Sequence, residues 1–334
     1  MRYVIIGAGG VGGTVGARLL MAEREVVFVA RGAHGDALRD RGLTFITPSG
    51  EHQLPTAAVS TPVELDLRAD DCVLLCVKTQ QSIAALAALR SACDAQGVEP
   101  ALVCAQNGVS NEDFALRRFA RVYAMLVQLP GTHLQPGEVI TQAEAAGGVL
   151  DTGCYPQGVD STCETLCADL RAAGFSATAD PRVMRKKYGK LLTNLGNAPQ
   201  ALLPAAEQVS DAARALLRRA TKEALACFAA AGIDCATRDE MHAQLAQIGY
   251  HDAVAGQSRQ GGSSWQSLAR GTGDIEADYL NGEVVRLGRL HGVATPVNLA
   301  FQRLAVMAAR AGAAPGSVSL AELGERIDRL TDPA

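Results

Sequence analysis

The sequence predicts an α/β chain in which an alternating strand–helix domain over residues 1–180 is followed by an all-helical domain over 181–334. Three observations predict it. The chain begins with a short apolar run, Val4-Ile5-Ile6, that breaks into Gly7-Ala8-Gly9-Gly10-Val11-Gly12 and continues as a helix-like stretch through Leu20. Up to about Asp180, apolar β-type runs alternate with Ala- and Leu-rich helical patterns, the sign of a parallel sheet with crossover helices. Beyond Pro181 the pattern is long helical stretches without a convincing strand, and such a shift marks a second domain.

The opening stretch is the strand, tight turn and helix of a Rossmann dinucleotide-binding domain. Gly7 permits the turn, Gly9 lets the backbone approach a diphosphate, and Gly12 lets the helix lie close on its own strand. Ala8, Gly10 and Val11 complete the loop, and the helix N-terminus presents unpaired N–H groups to the phosphates. The glycines alone are weak evidence; the return strand Val26–Ala30 strengthens them. An NAD-specific strand usually ends in an acidic residue that accepts from the ribose 2′-hydroxyl, whereas this one ends Ala30-Arg31-Gly32. A guanidinium cannot accept that bond but pairs well with a 2′-phosphate, so Arg31 points to NADP(H) over the alternative of an ordinary surface arginine.

Composition narrows the class. At 334 residues and 48% hydrophobic content the chain can build two cores, and a net charge of −4 leaves no electrostatic footprint for nucleic acid. The first strand starts at the N-terminus with no signal-peptide pattern, and no apolar run approaches about 18 residues, so a cytoplasmic protein with no membrane partner is expected. Nine cysteines include no Cys-x-x-Cys pair. Cys72 and Cys76 sit in an apolar strand and are read as buried thiols; Cys163 and Cys167 share a helical face with Cys154 nearby in sequence, which raises a metal site as an alternative, but no metal is expected.

In order, the pattern then predicts a hairpin at Leu43–Thr47 turning at Pro48-Ser49-Gly50. A buried strand over Cys72–Val77 follows, then a helix over Gln80–Ala92. Further strands are expected at Ala101–Cys104 and Val122–Val127, and a helix over Asp160–Ala172 closes the domain. In the second half, helices are expected over about 182–202, 207–231, 237–248, 274–291 and 296–311. A polar loop spans Gly256 to Gly273, and a cap or tail begins at Ala313.

Polar residues at parallel strand ends face the cofactor crevice. Lys78 and Asn107 occupy such ends and could line cofactor or substrate, or could be a solvated lysine and a plain Asn-Gly turn. In the second half, Lys190 and Asn194 are four apart and Asn197 three further, which places an amine and two amides on one helical stripe. Lys186 and Lys187 read as solvated. Ser264 lies in the polar loop, and Glu276 precedes a periodic helix, where the helix dipole alone would favour it.

Together these segments resemble the ketopantoate reductase (2-dehydropantoate 2-reductase) family over nearly the whole chain. The resemblance rests on the glycine loop, Ala30-Arg31-Gly32, Val77-Lys78, Gln106-Asn107-Gly108, Lys190 with Asn194, Ser263-Ser264, and Glu276-x-Asp278-Tyr279-Leu280-Asn281-Gly282, in that order. It implies a Rossmann domain and a helical domain with the active site in the cleft between them. It further implies NADPH-dependent reduction of a small 2-oxo acid, ketopantoate to pantoate in pantothenate biosynthesis. By the resemblance Lys190 is the general acid and Glu276 binds the carbonyl or hydroxyl oxygen with it. Asn194 and Ser264 hold the substrate, joined by Asn107 and the shifted amide of Asn197, while Lys78 and Asn107 line the nicotinamide. The departures are Ala198 where the family's best-known members carry a second helical asparagine, Leu268 where they carry an aspartate, and no further asparagine after Pro204. A reductase of a different 2-oxo acid, or an NADPH-binding protein without turnover, are the rival readings. The exposed apolar faces expected of a helical second domain suggest a homodimer.

Overall fold

Strands four residues long and apolar at every position need cover on both faces, and the first unit of the structure provides it. The computed structural model describes residues 1–331 except 145, 255, 259, 260 and 272. Its chain divides into two units, Met1–Lys187 with Thr237–Arg259, and Tyr188–Ala236 with Gln260–Ala334.

The first unit runs β1 (Tyr3–Ile6), α1 (Gly10–Met21), β2 (Val26–Val29), α2 (Gly32–Arg41), β3 (Leu43–Thr47), β4 (Gly50–Leu54), β5 (Ala57–Val59), β6 (Cys72–Leu75) and α3 (Ser82–Gln96). It continues with β7 (Ala101–Cys104), α4 (Asn111–Leu116), β8 (Val122–Met125), β9 (Gly131–Thr132), β10 (Glu138–Thr141), β11 (Thr152–Cys154) and α5 (Ser161–Ala172). Seven strands form one sheet in the order β11-β8-β7-β6-β1-β2-β5, parallel except where β11 meets β8. β1 is an interior strand: Tyr3 pairs with Val26 on one side and Cys72 on the other, and Ile6 with Val29 and Leu75. At the opposite end of β1, Arg2 forks onto both Asp71 oxygens at 2.8 and 2.7 Å, which ties the starts of β1 and β6 together. A smaller sheet, β4-β3-β10-β9, contains the expected hairpin. The sequence pattern missed α2 and α4, because Arg31 begins a helix at once and α4 is little more than one turn.

The second half is helical: α6 (Val183–Asn194), α7 (Asn197–Leu202), α8 (Ala205–Gln208), α9 (Asp211–Ala230), α10 (Arg238–Leu245), α11 (Ser263–Ala269), a 3-10 turn at Glu276–Tyr279, α12 (Asn281–His291), α13 (Pro296–Arg310) and α14 (Leu320–Thr331). Leu202, Leu203, Phe301, Leu304, Leu323 and Ile327 centre the second unit's core. A buried chain of polar groups also holds it. The Glu223 carboxylate accepts from the Val297 and Asn298 backbone N–H groups at the α13 N-terminus, where negative charge is favoured, and from the Asn298 side chain.

Several expectations change: the helix over 207–231 is α8 and α9, and that over 274–291 is a 3-10 turn followed by α12. The helix over 182–202 breaks at Leu195-Gly196 into α6 and α7; Pro199 then falls in the first turn of α7, where its missing N–H costs nothing. The polar loop contains α11, and the tail contains α14, whose start was written as Ser319-x-x-Glu322 with the Ser319 hydroxyl accepting from Glu322 N–H. Finally, residues 237–259 pack in the first unit, although they were assigned to the helical half. Arg185 forks onto Glu240 at 2.7 and 2.9 Å, Gln244 reaches Asp151, and a hairpin of Ala253–Val254 with Gln257–Ser258 follows. Periodicity shows that such a segment is a helix; it carries no information on which core receives it. Among the described residues no helix is long and apolar enough to cross a membrane.

Candidate functional site

Four neighbouring strands deliver their loops to one edge of the sheet. Gly7 follows β1 directly, Arg31 lies two residues past β2, Lys78 three past β6 and Asn107 three past β7. In sheet order the sequence candidates of the first unit therefore stand as Asn107, Lys78, the glycine loop and Arg31. This is the carboxyl edge where open parallel sheets bind ligands.

The glycine loop has the shape a diphosphate needs. Gly7 has φ +99°, and a Cβ there would sit 2.8 Å from Val77 N. At Gly12 a Cβ would meet the Gly7 carbonyl oxygen at 2.1 Å, so α1 can approach β1 only with hydrogen at this position. A Cβ on Gly9 would meet nothing within 4 Å. The three glycines thus differ: two are demanded by the protein's own packing, and the third opens onto space that a ligand can occupy. Arg31 is exposed at the start of α2, with its guanidinium available to a phosphate. These groups fit a nicotinamide dinucleotide.

His34, which the sequence reading passed over, contacts that loop directly. Gly137 N–H donates to Nδ1 at 2.9 Å, so the proton resides on Nε2, which donates to the Ala8 carbonyl at 2.9 Å. Its ring lies 4.0 Å from that of His133. Burial, with His133 as a lesser influence, pushes the His34 pKa down to about 4 and keeps the imidazole neutral.

Behind Lys78 and Asn107 is a buried polar network. The Gln106 amide donates to Val77 O at 2.5 Å and to the Ser82 hydroxyl at 2.8 Å; Ser82 donates to Asn111, whose own amide reaches Thr79 and the Asn107 carbonyl. Lys187 completes it, donating to Gln106 O at 3.0 Å and to Glu112 at 2.5 Å, with the two residues 3% and 0% exposed. The expectation of a solvated Lys187 fails because this carboxylate and carbonyl replace its water shell. Lys186 is half-buried and bridges Asp151 and Asp180, each at 2.7 Å, so it too is engaged.

In the second unit Lys190 and Asn194 stand one turn apart on α6. Asn194 is 4% exposed, and its Nδ2 has no partner among the described residues. Asn197 follows the break as the first residue of α7 and lines an open pocket of about 280 Å³ with Thr193, Gly196 and Gln200. The Gln200 side chain accepts from Gly262 N–H at 2.8 Å, which docks the start of α11 and its buried Ser264 on α7. Glu276 is buried in the 3-10 turn before α12 rather than in the first turn of one long helix. Asn281, quoted above only as part of a motif, donates to Leu195 O at 3.2 Å and Asn298 Oδ1 at 3.1 Å, and so satisfies a carbonyl at the α6 break. Ala198 and Leu268, 1% and 5% exposed, are core residues.

One group of metal-type donors occurs among the described residues. Cys154, Asp160 and Cys163 place ligand atoms within 4.8 Å of one another. The Asp160 oxygens already accept from Cys163 N–H and Tyr123 O–H, and burial pushes both thiols up, which disfavours the thiolates a metal needs.

Comparison with known proteins places this architecture. Residues 3–157 match the family model Ketopantoate reductase PanE/ApbA, and residues 182–308 match Ketopantoate reductase PanE/ApbA C terminal. A 2-dehydropantoate 2-reductase of Halobacterium salinarum is 27% identical over 322 residues, covering 93% of this chain and all of the relative. The crystal structure of a PanE/ApbA family ketopantoate reductase from Ralstonia eutropha JMP134 superposes with a TM-score of 0.78 at 27% identity, over 93% of this chain and 99% of that one. A ternary structure of D-mandelate dehydrogenase with NADH and anilino(oxo)acetate shares the fold, with a TM-score of 0.76 at 19% identity over 99% of this chain and 100% of that one.

The unequal surroundings of the glycines generate a test that needs no substrate. Gly12→Ala should destabilise the protein by about 1–3 kcal/mol, the cost of overpacking, whereas Gly9→Ala should unfold in urea as the parent does and lose dinucleotide affinity alone. Equal stability of the two variants would contradict this assignment.

Proposed function

The chain belongs to the ketopantoate reductase family, and on that premise we propose that it reduces a small 2-oxo acid with NADPH, with ketopantoate to pantoate as the leading reaction. It is an oxidoreductase acting on the CH–OH/C=O couple, and the family uses nicotinamide dinucleotides. The observation that carries the finer reading is the presence on one chain of an exposed Arg31 two residues past β2 and an α6 that carries Lys190 one turn from the buried amide of Asn194.

NADPH, when bound, supplies the hydride that adds to the carbonyl carbon. Arg31 holds its 2′-phosphate, the loop from Gly7 to Gly12 holds its diphosphate, and Lys78 and Asn107 hold its nicotinamide side. As negative charge grows on the substrate oxygen, the Lys190 ammonium stabilises it and delivers a proton. Glu276 orients that proton and holds the product hydroxyl. The Asn194 N–H donor, which has no partner among the described residues, and the Ser264 hydroxyl bind the substrate, with Asn107 contributing an amide, whereas Asn197 lines the open pocket beside α7. A reductase of another 2-oxo acid on the same scaffold is the second reading, favoured by the apolar character of Ala198 and Leu268.

Arg31→Ala should weaken NADPH binding by about 1.5–3 kcal/mol, the scale of a charged hydrogen bond, and leave NADH binding nearly unchanged. Calorimetric titration of both cofactors checks this, and an equal loss for the two would assign Arg31 no part in the choice. Lys190→Ala should lower turnover roughly 100-fold or more while cofactor affinity is retained. Full activity in that variant would move the acid elsewhere, with Lys78 the next candidate.

Substrate choice is tested by kcat/KM for ketopantoate against ketoisovalerate, which lacks the hydroxyl. A site built around a hydroxyl rejects analogues without it by about 10⁴, whereas a less polar site discriminates weakly. With Ala198 and Leu268 in place of an amide and a carboxylate, the ratio should fall well below that figure. A ratio above it would show that Asn197 or another group has replaced the missing partners. Activity with neither acid, but with another 2-oxo acid, would establish the second reading.

A further inference from the structure

We propose that His34 is a positioning residue for the dinucleotide loop, turning the Ala8–Gly9 peptide so that the Gly9 N–H faces the cofactor diphosphate. A trans peptide is planar, with its C=O and N–H directed to opposite sides. The 2.9 Å bond from His34 Nε2 to the Ala8 oxygen therefore fixes where the next N–H points. The same bond turns the carbonyl lone pairs, which would repel a phosphate, toward the imidazole. The space beside Gly9 is open as well, since a Cβ there would meet nothing within 4 Å.

The imidazole can hold this pose because its other nitrogen is fixed too. Nδ1 accepts from Gly137 N–H at 2.9 Å, in the turn leading into β10, and the His133 ring backs it at 4.0 Å. The smaller sheet thus braces the loop through one side chain. A neutral ring with the proton on Nε2 is required, and the low pKa of about 4 matches that requirement at neutral pH. His34 lies three residues beyond Arg31, so the start of α2 carries both a candidate phosphate ligand and the brace of the loop.

The role rests on the reading of this loop as a dinucleotide site, and the test separates the two. Dissociation constants for NADPH and NADH are measured by calorimetry on the full chain and on His34→Ala, His34→Gln and His34→Asn, with urea unfolding of each. His34→Ala should bind roughly tenfold more weakly, the scale of one misdirected hydrogen bond to a charged group. Gln retains a donor near the Nε2 position and should restore most of the affinity. Asn retains only an acceptor near Nδ1, for Gly137, and should bind like Ala. Rescue by Asn and not by Gln would make His34 a mere anchor of the turn and overturn the proposal. So would unchanged affinity in His34→Ala, and so would affinity losses that follow the stability losses across all three variants. If the parent protein binds neither cofactor, the dinucleotide reading itself falls and takes the role of His34 with it.

Discussion

How closely α1 lies on its neighbours governs the first unit. A Cβ at Gly12 would stand 2.1 Å from Gly7 O, one at Gly16 2.4 Å from the Phe28 ring, and one at Gly13 2.6 Å from Val139. The helix therefore rests on β1, β2 and β10 with only hydrogens between, and its N-terminus is fixed over the end of β1. Gly10 and Gly131 meet backbone to backbone, since a Cβ on either would fall within 2.6 Å of the other's carbonyl oxygen. This couples the smaller sheet to the loop. A loop held in this way loses little freedom when an anion arrives, so the helix-end N–H groups can act as a preformed site.

The same edge of the sheet faces a second constraint, because loops that bend sharply at strand ends must bury polar backbone. Gln106, Ser82 and Asn111 resolve it by pairing with one another and with the carbonyls of Val77 and Asn107. Lys187 and Glu112 are buried within this network. A buried ion pair is weak evidence of stability, since desolvation offsets much of the attraction, but removal of one partner strands the other charge. Its clear consequence is geometric: the Lys187 bond to Gln106 O ties the start of α6 to the loop that presents Asn107.

Much of the fold was legible because it is written in local signals. Buried parallel strands are apolar at every position, and β7 falls on the residues expected, as does the β3–β4 hairpin. Errors arose where a local signal was outweighed or overlooked. Gly196 and Pro199 were present in the pattern, yet the 3.6-residue period of 182–202 hid the break. The Ser319-x-x-Glu322 start of α14 went unread. The placement of residues 237–259 could not be read at all, since it depends on Arg185, Asp151 and Ser176, far away in sequence. The burial of Lys187 belongs to the same class: a lysine announces a charge, and only the tertiary structure supplies the carboxylate that lets it leave water.

The break between α6 and α7 bears most directly on chemistry. In one continuous helix Asn194 and Asn197 would share a face and could serve the same ligand. The break instead gives them different surroundings, the first buried and the second in an open pocket. Leaving the Asn194 donor without a partner among the described residues costs on the order of 1–3 kcal/mol, while in the same region the Asn281 side chain donates to Asn298 Oδ1 and to the Leu195 carbonyl. Ala198, directly after the break, contributes no polar group and packs in the core. Asn194 thus presents its donor beside an Asn281 amide whose N–H groups are committed to structure and whose Oδ1 also has no partner among the described residues. A carbonyl or carboxylate oxygen placed against this donor, which lies one turn from Lys190 and has no partner among the described residues, would remove that cost.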